Sequence, residues 1–130
     1  MKRMCLCHIN TVTVGVAPQL SESLKNVRSV APEKVELSCQ ISAGVPSAEV
    51  HWYRSVKFTA MFREIFNDEK YESRRNGDTM TLIIAVSEAT DSATYRGEAV
   101  NKFGKVRTES KLVVLRTSPR ILLATVIMFV

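Results

Sequence analysis

The chain has 130 residues, with 18 Lys plus Arg, 13 Asp plus Glu, 3 Cys and 2 His. That length fits one domain and leaves no room for a catalytic domain beside a second module. An apolar fraction of 45% and a charged fraction of 24% exclude disorder and collagen, and 3 cysteines are too few for a disulfide-stapled miniprotein. The net charge of +5 suggests an acidic partner until its placement is considered. All 13 acidic residues lie between Glu22 and Glu109, and Lys2, Arg3, Arg116 and Arg120 lie outside residues 17–115. Residues 17–115 therefore hold 14 basic against 13 acidic residues, alternating along the chain. Nucleic-acid binding, which needs clustered Lys and Arg, is not expected.

Residues 1–16 open with a basic pair and a mildly apolar stretch, similar to a weak secretory signal with Ala17 as cleavage residue. His8, Asn10, Thr11 and Thr13 interrupt that stretch, so an unstructured tail is the expectation. Cys5, Cys7 and His8 offer three ligand atoms, but no second ligand pair follows at a zinc-finger spacing. No metal, cofactor or small-molecule substrate is expected.

From Pro18 to Leu115 the dominant hydrophobic period is two. Val35, Leu37, Cys39 and Ile41 alternate with polar residues, which predicts a strand with one apolar face. Val50 and Trp52 alternate with Glu49, His51 and Tyr53. Residues 58–66 suit either a strand or a helical turn. Asn76-Gly77 fits a tight hairpin turn, since both tolerate positive φ. Leu82 and Ile84 continue the period, as do Tyr95, Gly97 and Ala99, and then Val106, Leu112 and Val114. Asn101 to Gly104 fits a second hairpin turn. Seven to nine short antiparallel strands in roughly 100 residues predict an all-β sandwich of two antiparallel sheets.

The spacing carries a resemblance. Cys39 precedes Trp52 by thirteen residues; Leu82-x-Ile84 precedes Asp91-x-Ala93-x-Tyr95-x-Gly97, then Ala99-x-Asn101-x-x-Gly104. This resembles an immunoglobulin domain of the I-set type over residues 17–115, with tails at 1–16 and 116–130. The resemblance implies a structural core of Cys39, Trp52, Leu82, Ile84, Asp91, Tyr95 and Gly97. Trp52 would fill the space between sheets, and the Tyr95 hydroxyl would bond back to the backbone. Asp91 would cap its turn and meet Arg74 or Arg75.

Two departures from the family pattern carry more information than the matches. The family places a bridging Cys where this chain has Gly97, which leaves Cys39 without a partner and predicts a void beside Cys39 and Trp52. A small secreted domain loses about 2–5 kcal/mol with its bridge, a cost that conflicts less with a reducing cytosol. No Asn begins an N-glycosylation signal. The second departure is a long connection after Trp52, whose Phe58, Met61, Phe62 and Phe66 form a possible contact surface.

Neither His8 nor His51 belongs to a triad, a zinc motif or a phosphate loop, so no enzymatic activity is expected. The missing bridge, together with AVNKFG and KYESRRNGDTMTL, resembles the intracellular modules of giant muscle proteins such as titin, twitchin and obscurin. That implies a tandem-repeat scaffold module which binds other proteins or neighbouring immunoglobulin or fibronectin-like domains. A parent protein of that kind can carry a kinase domain elsewhere. The alternative is an extracellular adhesion or receptor module. It would use the N-terminal tail as a signal and the apolar run Ile121 to Val130, about 15 Å of helix, as the start of a membrane span.

Overall fold

The computed structural model describes residues 14–56 and 59–116. The Cys5, Cys7 and His8 cluster, Phe58 and the C-terminal apolar run lie outside the described residues. Among the described residues nine strands follow in order: β1 Gln19–Glu22, β2 Val27–Val30, β3 Val35–Ser42, β4 Glu49–Ser55, β5 Phe62–Ile65, β6 Tyr71–Asn76, β7 Thr79–Ile84, β8 Ala93–Asn101 and β9 Gly104–Leu115. A 3-10 turn, Ala89–Asp91, precedes β8.

The strands form two sheets, of order β1-β3-β7-β6 and β2-β9-β8-β4-β5. Every pairing is antiparallel except β2 with β9, which is parallel. The chain therefore starts in one sheet and crosses to the other between β1 and β2. Leu24 fills the crossing: its side chain is buried, and its amide donates to Thr108 Oγ1 at 2.9 Å. That bond satisfies a backbone group where the chain passes from one sheet to the other.

Alternation decides which way each strand faces. In β3 the residues Val35, Leu37, Cys39 and Ile41 are buried and the four between them are exposed. β9 holds the same alternation from Thr108 to Leu115. The ambiguous stretch after Trp52 is a strand at its centre: β5 pairs with β4 as an edge, setting Trp52 opposite Ile65. The β6–β7 hairpin turns on Gly77 and Asp78 rather than on Asn76 and Gly77. Asn76 still pairs with Thr79, and Gly77 carries the positive φ of 62°.

Cys39, Trp52, Leu82, Ile84 and Tyr95 lie in one buried cluster with Leu37, Ile41, Met80 and Leu112. Burial pushes the Cys39 thiol up to a pKa of about 11, so it stays protonated. Gly97 on β8 sits directly opposite Trp52 on β4. The void expected there is filled on the Trp52 side. A Cβ on Gly97 would lie 3.1 Å from the Trp52 ring, because the indole occupies the space a side chain would take. The ring is only 2% exposed, and its Nε1 has no hydrogen-bond partner among the described residues, so shape alone holds it.

Gly97→Ala is therefore expected to destabilise the domain by about 1–3 kcal/mol, although alanine favours a strand over glycine. Urea unfolding measures it. An unchanged or raised midpoint would show that the indole has room to retreat.

Candidate interaction surface

Asp91 stands at the end of the sandwich where β7 hands over to β8. Its carboxylate is 2% exposed and lies 3.0 Å from Lys70 Nζ and 3.8 Å from Arg54 Nη1. Asp91 Oδ2 also accepts the Glu88 amide at 2.7 Å, and its carbonyl accepts the Tyr95 hydroxyl at 2.7 Å. The basic partner is thus neither Arg74 nor Arg75. Register explains the correction. Tyr71 pairs with Ile84, so the start of β6 lies beside the end of β7, and Arg74 and Arg75 sit further along opposite Thr81 and Met80. Arg74 instead bonds Glu72 at 2.6 Å, and Arg75 donates to the Ala48 carbonyl at 2.8 Å. Lys70→Met should cost about 1–3 kcal/mol by leaving a buried carboxylate short of charge, whereas Arg74→Met should leave the unfolding midpoint nearly unchanged. Equal effects in chemical denaturation would refute this assignment.

The outer face of the five-stranded sheet is laced by side-chain pairs. Arg107 Nε meets Glu98 at 2.7 Å, Arg96 Nη2 meets Glu109 at 2.7 Å, and the Tyr53 hydroxyl donates to Glu98 at 3.4 Å. At the edge, His51 Nδ1 lies 2.8 Å from Glu64 Oε2, joining β4 to β5. The hydrogen bond to Glu64 raises the His51 pKa, and Glu49 adds to it. A histidine whose folded pKa is raised contributes its stability fully below the unfolded value of about 6.5 and loses it as pH rises through the folded value. The unfolding midpoint should therefore fall between about pH 6 and about pH 8, and His51→Gln should flatten that slope. Identical slopes in the two proteins would show that the pair carries no linkage.

β5 leaves one side of its backbone unpaired, because it ends the sheet order. The Val56 amide donates to the Met61 carbonyl at 2.7 Å, which fixes the alternation. Arg63 and Ile65 point their amides and carbonyls at β4, and those of Phe62 and Glu64 point outward. Apolar side chains flank this edge. Met61 and Phe66 are each 69% exposed. Phe62 is half-buried beneath the Arg96 guanidinium, 3.8 Å from its ring centroid. Arg63 is exposed, with no ion-pair partner within 4 Å among the described residues. A cavity of about 290 Å³ lies near Cys39 and one of about 280 Å³ lies beside β5. The second is lined by Arg54, Arg63, Ile65, Phe66 and Tyr71 among others. Among the described residues, no group of three or more His, Cys, Asp or Glu could hold a metal ion.

The Lys70, Arg54 and His51 contacts were not foreseen from sequence. They depend on strand register, which no local motif records.

The family model for the immunoglobulin I-set domain matches residues 18–114. The chain belongs to the immunoglobulin I-set family. It is 29% identical over 96 residues to titin of Drosophila melanogaster, covering 74% of this chain and, to the nearest per cent, 0% of that protein. It is 29% identical over 115 residues to neural cell adhesion molecule L1.1 of Danio rerio, covering 88% of this chain and 9% of that protein. The I-set chain thus spans less than a tenth of the length of these relatives. Among solved structures, the titin Ig tandem domains A164-A165 superpose with a TM-score of 0.67 at 34% identity, covering 77% of this chain and 48% of that one. The titin domains z1z2 in complex with telethonin superpose with a TM-score of 0.71 at 24% identity, covering 80% of this chain and 49% of that one.

Proposed function

We propose that this I-set chain is a non-catalytic protein-docking module of an intracellular muscle or cytoskeletal scaffold. Its structural core is Cys39, Trp52, Leu82, Ile84, Asp91, Tyr95 and Gly97 within a domain spanning residues 17–115, and β5 with its flanking residues is the contact surface. The observation that carries the proposal is Gly97 packed against Trp52, in a core built to hold without a disulfide. Such a core has no need of an oxidising compartment. The similarity to titin supports the same reading, and the titin domains z1z2 are an example in complex with another protein, telethonin.

Met61, Phe62 and Phe66 are the described members of the contact surface. An incoming extended segment would bond the outward amides and carbonyls of Phe62 and Glu64, and would cover Met61 and Phe66. Catalysis has no support from any cluster of acids, bases and nucleophiles on this surface. The match to neural cell adhesion molecule L1.1 favours a second reading, a cell-surface adhesion module.

Expression of the fluorescently tagged chain in cultured myotubes separates these readings. The scaffold reading expects a striated pattern, and Met61→Glu with Phe66→Glu should disperse it while altering stability by less than about 0.5 kcal/mol. A plasma-membrane or secreted signal would favour adhesion. Striations that survive both substitutions would remove the β5 edge as the contact surface.

A further inference from the structure

The fold separates charges that alternate along the sequence. The strands of the five-stranded sheet carry seven Lys and Arg against four Glu, whereas those of the four-stranded sheet carry two Arg against three Glu. Two of the four carboxylates of the five-stranded sheet are consumed by arginines, Glu98 by Arg107 and Glu109 by Arg96, and the other two, Glu49 and Glu64, flank His51 at the opposite edge. Arg28, Lys105, Lys111 and Arg116 are exposed and have no ion-pair partner within 4 Å among the described residues. The surplus on this face is therefore positive charge without a counter-charge.

Part of that surplus borders a groove. Where β4 ends and β8 begins, a cavity of about 570 Å³ is lined by Arg54, Lys111 and Arg116 and by the hydroxyl residues Ser55, Thr90 and Thr94. No Asp or Glu lines it. Register fixes the layout. Lys111 pairs with Thr94, and Arg28 on β2 pairs with Val113 beside it. The Arg54 guanidinium is held in place by the Thr90 carbonyl at 3.0 Å, which makes a rigid wall, whereas Lys111 and Arg116 are free to reach a ligand. The volume lies within the roughly 300–1,000 Å³ typical of binding pockets.

We propose that this groove binds an acidic segment of a partner protein, whose carboxylates pair with Lys111 and Arg116 and hydrogen-bond the lining hydroxyls. Nucleic acid fits less well, because no Phe, Tyr, Trp or His lines the groove to stack a base. The groove is distinct from the β5 edge, and the proposal holds for a scaffold or an adhesion module alike.

The test is fluorescence anisotropy of a labelled oligoglutamate peptide with the full chain at low ionic strength. Saturable binding that weakens as salt is added is expected. Lys111→Glu and Arg116→Glu should each weaken it about tenfold. Lys105→Glu, about 20 Å away along β9, should change it by less than about twofold. Thermal unfolding checks each variant, and Lys111→Ala replaces any charge reversal that fails to fold. Equal losses from Lys105→Glu and Lys111→Glu would reduce the effect to general charge and overturn the proposal. So would the absence of saturable binding, or tighter binding of an oligouridine than of the peptide.

Discussion

The packing of Trp52 against Gly97 is the constraint on which the sandwich depends. The two residues face each other across β4 and β8, at the centre of the larger sheet. Glycine in a strand weakens it by roughly 0.5–1 kcal/mol, and a missing bridge forgoes about 2–5 kcal/mol. Bringing the indole to the backbone of β8 recovers buried apolar area at that point, about 25 cal/mol for each Å² removed from water. The unpartnered Nε1 implies that the ring's position follows from close packing and not from a polar tether. Cys39 then serves as a small buried apolar residue, with its thiol held protonated.

A second, polar device fixes the end of the same layer. Asp91 joins the end of β7, the start of β6, the end of β4 and Tyr95 through Glu88, Lys70, Arg54 and its own carbonyl. Tyr95 is fully buried and its pKa is pushed upward chiefly by burial, so its hydroxyl remains a donor to the Asp91 carbonyl. The centre of the core thus depends on shape and its end on charge. These are different failure modes: a volume change at Gly97 strains packing, whereas loss of Lys70 strands a carboxylate.

The sandwich was legible because its signals are local. Period-two alternation in β3 and β9, and the Asp91 to Tyr95 spacing, can be read within single segments. What escaped required the pairing of distant segments. The choice of Arg74 or Arg75 for Asp91 failed because β6 starts beside the turn and then runs away from it, which leaves Lys70 nearest. A missing side chain at Gly97 implies a void, but the indole of the neighbouring strand occupies that space. The parallel pairing of β2 with β9 depends on a crossing at Leu24 that hydrophobic alternation does not encode. Phe62 was singled out as apolar and exposed, yet its ring is half-covered by Arg96, a residue 34 positions later on β8.

Charge gives the same lesson in the opposite direction. Along the sequence, residues 17–115 are almost neutral and well mixed, which argued against an electrostatic partner. Strand alternation and sheet order then sort those residues by face, because each outward position on β9 from Lys105 to Lys111 is charged. Glu98 and Glu109 are spent on the arginines beside them, so Lys105 and Lys111 remain without an ion-pair partner among the described residues. A domain with little net charge can therefore present a basic surface if its carboxylates are consumed internally. Such a surface acts at short range only, since neighbouring ion pairs add no net field and salt screens the remainder within about 10 Å. That range suits recognition of an acidic segment already brought near by a second contact, the role proposed for the exposed apolar edge at β5.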